Sequence, residues 1–104
     1  MSRQEFDPAR GRIKRTVLFH ALEEGVVTAA TLNRLTGLGV TELQGCLVRL
    51  RDAGMVGLVV KKVTPATGHR YNGHALTPKG IEAAMQIDQS DVIFAKAELE
   101  RANA

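Results

Sequence analysis

Apolar residues recur along most of the chain at three- and four-residue steps, the spacing of helices that bury one face. The clearest such stretch runs from Thr41 to Ala53 and is followed by Gly54, a residue suited to the left-handed turn that ends many helices. Thr41 and Gln44 have the spacing of a capping box, which predicts a helix that begins at Thr41. Its predicted buried face consists of Leu43, Cys46, Leu47, Leu50 and Ala53. Its predicted exposed face consists of Glu42, Gln44, Gly45, Val48, Arg49 and Asp52.

An earlier helix is predicted to end near Gly25. Asp7 and Pro8 are residue types that begin helices, although Gly11 could delay the start. His20 lies off the apolar stripe of this helix, so we expect its side chain to be exposed. The stripe consists of Ile13, Val17, Leu18, Ala21 and Leu22.

A short second helix is predicted between these two. Val26 and Val27 before it are too few for a full strand and are expected to form one rung of a small sheet. Thr28 is a candidate N-cap, and a helix of so few residues must pack on its neighbours to persist. The glycine-containing turn 36–39 then leads into the 41–53 helix, which is the layout of a helix-turn-helix. The predicted core residues of the second helix are Ala30, Leu32 and Leu35.

A β-hairpin is predicted after Gly54. The stretch 55–63 has strand composition, 64–68 has turn residues, and 69–76 would return as an antiparallel strand. Asn72-Gly73 is an alternative turn, but it would leave only three residues to pair.

Two further helices are predicted after the hairpin. The first begins at Thr77-Pro78, and Ser90 is expected to cap the second. Their apolar residues are Ile81, Ala84, Met85 and Ile87 in the first, and Val92, Ala95, Leu99 and Ala102 in the second.

The resulting fold class is mainly α with a small antiparallel sheet (α+β), in the order α-β-α-α-β-β-α with a C-terminal helical extension. Two segments, RLRDAGMV (49–56) and ALTPKGIEA (75–83), resemble the winged helix-turn-helix domains of MarR- and PadR-type transcriptional regulators, and the similarity covers about Ile13 to Met85. The resemblance implies a winged helix-turn-helix domain at 1–89, of which 1–6 is expected to be disordered. It implies a probable dimerisation helix at 90–104.

By this resemblance, helix 41–53 would enter the major groove of double-stranded DNA and the wing 61–70 would lie on phosphates. The candidate base contacts are Thr41, Gln44 and Arg49. The candidate phosphate contacts are Lys61, Lys62, His69 and Arg70. The candidate dimer interface consists of Val92, Phe94, Ala95 and Leu99, and the alternative is that this helix folds back on its own domain.

Charge is distributed unevenly along a chain whose formal net charge is +3. Residues 61–80 hold Lys61, Lys62, Arg70 and Lys79 and no acid, whereas residues 81–104 hold five acids and two cations. This pattern suits a polyanion on one side of the molecule, or simply a solvated surface. Glu42 and Gly45 on the proposed reading helix keep a second function open, a winged helix that binds another protein as an adaptor or replication component.

Other classes of function are not expected. The chain has one cysteine, Cys46 on a predicted buried face, and no glycine-rich phosphate loop, so we expect no catalysis. His69 and His74 have no clustered cysteine or carboxylate, so we expect no metal, and no cofactor is implied. We see no clear pocket for a small-molecule effector. No stretch is long and apolar enough to span a membrane, and we expect a cytoplasmic homodimer.

Overall fold

The computed structural model describes residues 8–62 and 70–93, with side-chain surroundings for 11–59 and 73–93. Within these residues the fold is mainly helical with a two-stranded antiparallel sheet, an α+β class as expected. The elements are α1 (Pro8–Glu24), α2 (Ala29–Thr36), α3 (Val40–Asp52), β1 (Val56–Lys62), β2 (Arg70–Leu76), α4 (Pro78–Met85) and a 3₁₀ turn (Gln89–Asp91).

The sheet joins β1 and β2 in a register that runs from Val56 opposite Leu76 to Lys62 opposite Arg70. Asn72 and Gly73 lie inside β2, so the alternative turn at these residues is wrong. The expected hairpin tip at 64–68 lies outside the described residues. Val27 adds the expected single rung, because its N–H and C=O exchange hydrogen bonds of 2.9 and 2.7 Å with His74.

Two of the predicted helix starts are confirmed by their caps. The Thr28 hydroxyl accepts a hydrogen bond from the N–H of Thr31 at 3.0 Å. The Thr77 hydroxyl accepts one from the N–H of Gly80 at 3.1 Å, and Pro78 follows as the first helical residue. Each hydroxyl replaces one of the backbone partners that a first helical turn lacks.

The capping box predicted at Thr41 is wrong. The carbonyl of Gly39 already accepts from the N–H of Leu43 at 3.0 Å, so α3 begins at Val40 and Gly39 is its N-cap, without a side-chain cap bond. The preceding turn decides this, since the Asn33 side chain donates to the carbonyl of Leu38 at 2.6 Å and holds the chain there.

The core lies between α1, α2 and α3 and is closed by the sheet and α4. The predicted buried face of α3 is confirmed except at Ala53, which is exposed just beyond the helix. In α2, Leu32 is buried, Leu35 is half-buried and Ala29 is buried in place of the exposed Ala30. The fully buried side chains of largest volume are Leu32, Leu43, Leu50, Val17, Val27, Val92 and Thr16.

Several expectations about exposure are overturned, including that for Leu22 on the predicted stripe of α1, which is 39% exposed. His20 is only 9% exposed, because α1 packs against α3, α4 and β2 together and so buries more than one apolar stripe. Met85 is 71% exposed and Ile81 is 40% exposed, so Ala84 and the partly buried Ala83 make the core contact of α4 instead.

The beginning of α4 holds the end of α3. Lys79 donates from Nζ to the carbonyl of Ala53 at 2.9 Å, and the Thr77 hydroxyl donates to the carbonyl of Gly54 at 2.6 Å. A helix leaves its last carbonyls without partners, and these two side chains supply them from another element. Gly80 lies so close that a Cβ there would overlap the carbonyl oxygen of Met55.

The segment after α4 follows α1 instead of starting a helix at Ser90. The Asp88 carboxylate accepts from the N–H of Ser90 at 3.0 Å, a 3₁₀ turn follows, and Val92 is extended, which corrects the helix predicted from Ser90. Val92 is 1% exposed, and the N–H of Ile93 donates to the Thr16 hydroxyl at 2.8 Å. The predicted boundary at 89/90 therefore falls within a segment that packs on the domain.

Val92 contributes to the interior of its own chain, which sets it apart from the surface residues that a second copy could touch. Phe94, Ala95 and Leu99, the other residues assigned to the dimer interface, lie outside the described residues. The dimer stays a prediction.

Candidate functional site

The exposed side of α3 is the surface on which the predicted base contacts lie. Thr41, Gln44 and Arg49 are all exposed, while the residues between them on the other side are buried. At about 100° per residue, Gln44 and Arg49 are separated by roughly 140° around the helix axis. They therefore occupy opposite edges of the exposed surface, and Thr41 and Val48 lie between them.

Arg49 lies along its own helix over Gly45. Its Nη1 atom is 3.5 Å from the position that a Cβ of residue 45 would occupy. The absence of a side chain at Gly45 therefore leaves room for the guanidinium group beside the helix backbone. This edge of α3 is also the edge near α1, because both Arg49 and Lys14 act on the same thiol of Cys46.

Burial raises the pKa of the Cys46 thiol, and the positive charges of Arg49 and Lys14 offset part of the rise. The thiol is 2% exposed and stays protonated at neutral pH. Cys46 is thus part of the core, and the two cations near it make one edge of α3 electropositive.

Charges on α3 itself cancel. Arg49 and Arg51 are the cations, and Glu42 and Asp52 are the acids. Glu42 stands in the first turn, where a negative charge interacts favourably with the helix dipole. Any net positive field at this surface therefore has to come from neighbouring elements.

A groove of about 850 Å³ opens along the other edge of α3. We call it the α2–α3 groove. It lies between the first turn of α2 and one side of α3, and His74 of β2 also lines it. Sequence reasoning anticipated only Gln44 here, although Arg51 lies seven residues later and therefore on the same edge of the helix. The polar lining residues are Thr28, Thr31, Gln44, Arg51 and His74.

His74 is held in the groove by its backbone, which forms both hydrogen bonds to Val27. Within the described residues its Nε2 atom is buried and has no hydrogen-bond partner. Burial lowers the pKa of His74, and the positive charge of Arg51 lowers it further. No signal in the sequence distinguishes this histidine from a surface residue, because its neighbours come from three separate elements.

The predicted phosphate contacts are placed only by their backbone. Lys61 and Lys62 end β1, Arg70 begins β2, and the register sets Lys62 opposite Arg70. Three cationic residues therefore occupy the last two paired positions of the described part of the hairpin. His69 lies outside the described residues.

Two arginines of α1 are engaged elsewhere. Arg12 Nη2 approaches the carbonyl of Val92 at 3.5 Å, and Arg15 Nε lies 3.7 Å from the Asp91 carboxylate. Both distances are long, so these side chains lie beside the segment that follows α4 and contribute little to its attachment. Lys14 is exposed between them and remains a candidate for contacts with a partner.

Within residues 8–62 and 70–93, no group of three or more His, Cys, Asp or Glu side chains is placed to hold a metal ion. Over the same residues, none of the helices has the length and apolar character needed to cross a bilayer. A scan of the sequence against models of protein families finds no match. A search among curated proteins likewise finds no significant similarity.

Proposed function

We propose that this chain is a winged helix-turn-helix domain that binds double-stranded DNA as a small transcriptional regulator. In this proposal α2 and α3 form the helix-turn-helix, and the β1–β2 hairpin is the wing. Three features support this proposal. They are the order of the elements, the bridge between Val27 and His74 beside the two-stranded sheet, and the packing of α2 on α3. The resemblance of segments 49–56 and 75–83 to MarR- and PadR-type regulators points the same way.

The observation that carries the proposal is the surface of α3. The helix buries Leu43, Leu47 and Leu50 and leaves Gln44 and Arg49 exposed. The B-form major groove admits one helix, in which glutamine suits adenine and arginine suits guanine. Lys79 and Thr77 donate hydrogen bonds to the carbonyls of Ala53 and Gly54, which attaches the C-terminal end of α3 to α4.

Affinity would come mainly from phosphates. Lys61, Lys62 and Arg70 end the paired part of the hairpin, and the stretch 61–80 carries four cations and no acid. Cations that neutralise phosphates release counterions, which favours binding at low salt. This supplies the positive field that α3 itself lacks.

A second candidate function is supported by one specific observation. Val40 and Val48 on the outer side of α3 are 40% and 44% exposed, and the charges of α3 cancel. An exposed apolar surface without net charge suits docking of another protein, such as an adaptor or replication component.

Salt dependence separates the two functions. We expect the affinity for duplex DNA to fall about a thousandfold from about 50 to about 200 mM salt if about six phosphates are contacted. Selection from random duplexes should enrich one sequence. Failure to bind any duplex at low salt would reject the DNA proposal and favour the protein-docking alternative.

A further inference from the structure

The α2–α3 groove borders the proposed DNA-reading surface, but the predicted base contacts use little of it. Gln44 is shared by both, whereas Arg51 and His74 belong to the groove alone. A cation and an imidazole that line one groove beside a proposed polyanion site are candidates for contact with a negatively charged group.

His74 is an unusual residue for its position. Its N–H and C=O are both paired with Val27, so the backbone is satisfied whatever side chain residue 74 carries. The Nε2 atom has no partner in the described part of the chain, although it is buried. A buried polar atom without a partner lowers stability. Arg15 Nε and His20 Nε2 share this feature, but of the three residues only His74 lines the α2–α3 groove.

The charged groups near His74 determine how readily its imidazole takes up a proton. Arg51 of α3 is the charged group that acts on it, and α2 contributes only uncharged residues to the groove. β2 also packs against β1, α1 and α4, and no charge on the described parts of these elements shifts the pKa of His74. The free protein therefore keeps His74 neutral at neutral pH, because burial and Arg51 both oppose its positive form.

We propose that a phosphate group seats beside Arg51 in the α2–α3 groove and draws a proton onto His74, so that binding tightens as the pH falls. This rests on the proposed DNA function when the phosphate belongs to a duplex, but the chemistry is the same for free phosphate. The negative charge offsets the repulsion between Arg51 and protonated His74. Binding and protonation are then linked, and each favours the other.

The first experiment measures the affinity for a short duplex of mixed sequence by fluorescence anisotropy, at constant ionic strength. Between about pH 8 and pH 5.5 we expect the wild-type dissociation constant to fall about threefold to tenfold, since uptake of one proton changes affinity by at most tenfold per pH unit. His74→Gln should lose this component. His20→Gln is the matched control, because His20 lies on α1 and lines neither the α2–α3 groove nor the proposed DNA contacts, so the response of His74 should remain.

The experiment distinguishes failure of DNA binding from failure of the linkage to His74. If no duplex binds at any pH, the DNA function itself is rejected. If a duplex binds and the pH response is the same in wild type and His74→Gln, the linkage is rejected while DNA binding stands.

The second experiment follows the imidazole of His74 in the wild-type protein by NMR, so it does not depend on a folded variant. A rise in the pKa of His74 on adding inorganic phosphate supports a site for free phosphate. A rise with the duplex alone assigns the site to the DNA backbone. No rise with either probe overturns the proposal. In Arg51→Gln the pKa of free His74 should be higher than in wild type, and an unchanged value would reject the coupling to Arg51.

Discussion

Gly80 shows how a single residue supports the proposed reading helix. It lies in the first turn of α4, where the helix passes against the carbonyl of Met55 just beyond α3. Only a residue without a side chain allows this approach, and the approach lets Thr77 and Lys79 reach the end of α3. Gly80 lies within the segment 75–83 that resembles winged-helix regulators, and these contacts give a structural reason for a glycine at that position.

Alanine substitution at Gly80 and at Gly45 should have opposite effects on stability. Gly80→Ala should lower the free energy of unfolding by about 1–3 kcal/mol, because the new methyl group overlaps backbone that cannot move freely. Gly45→Ala is the control, since its Cβ would meet Arg49 at an ordinary contact distance. It should raise stability by about 0.5–1 kcal/mol through helix propensity. Urea unfolding measures both, and equal effects would contradict the close approach at Gly80.

His74 should make stability depend on pH. Because its pKa is lowered in the folded protein, the unfolded chain binds the proton more readily. The contribution of His74 to stability is therefore fully present above its unfolded pKa of about 6.5. It is lost as the pH falls from there towards the folded value. Thermal unfolding should show a smaller loss of stability on acidification in His74→Gln than in wild type, and an identical loss would contradict this assignment.

At the scale of elements, the helical period of the sequence predicts which residues of α3 are buried, but it does not predict where α3 begins. Its buried face was predicted correctly except at Ala53, because 3.6 residues per turn fixes which side chains share a side. Its start was not, since the turn held by Asn33 and Leu38 decides where the helical hydrogen bonds begin. The α2–α3 groove was missed for a related reason, because a groove exists only where two elements meet.

The junction of α3 and α4 can be tested through its threonine. Thr77 caps α4 with one lone pair and donates its proton to Gly54, so Thr77→Ala removes two hydrogen bonds. We expect a loss of about 1–2 kcal/mol in the free energy of unfolding. Thr77→Ser keeps the hydroxyl and should lose much less. If serine and alanine cost the same, the hydroxyl is not what holds the junction.

At the scale of the whole molecule, charge and the C-terminal segment matter most. Arg12 and Arg15 of α1 lie beside residues 91 and 92, at 3.5 Å from the Val92 carbonyl and 3.7 Å from the Asp91 carboxylate. The other cations of the described chain that a polyanion could reach include Lys61, Lys62 and Arg70 of the hairpin, Lys14 of α1, Arg34 of α2, and Arg49 and Arg51 of α3. The field available to DNA is narrower than the sequence suggests.

Replacing Lys61, Lys62 and Arg70 with alanine should weaken binding to every duplex. The slope of log affinity against log salt should fall by about 3, because about three phosphate contacts are lost. By contrast, Gln44→Ala should change sequence preference by about 1–3 kcal/mol for the lost base contact and leave the slope unchanged. An unaltered slope in the triple variant would remove the wing from the interface.

The predicted dimer is best tested by removing residues 94–104. A cut after Gln89 would also remove Val92, whose side chain is buried in its own domain, and would confuse folding with assembly. A chain that ends at Ile93 keeps the contact with Thr16. We expect it to be monomeric by light scattering and the full chain to be dimeric. A full chain that is monomeric would reject the homodimer.

The sequence by itself determined the α+β class, the order of elements through α4, the caps at Thr28 and Thr77, and the buried face of α3. These features are local, since they follow from helical period, turn chemistry and caps within a few residues. Only the tertiary structure decided that His20 and Val92 are buried, that α4 holds the end of α3, and that Arg51 and His74 meet in one groove. Each of these joins residues far apart in the chain, and their proximity depends on how whole elements pack.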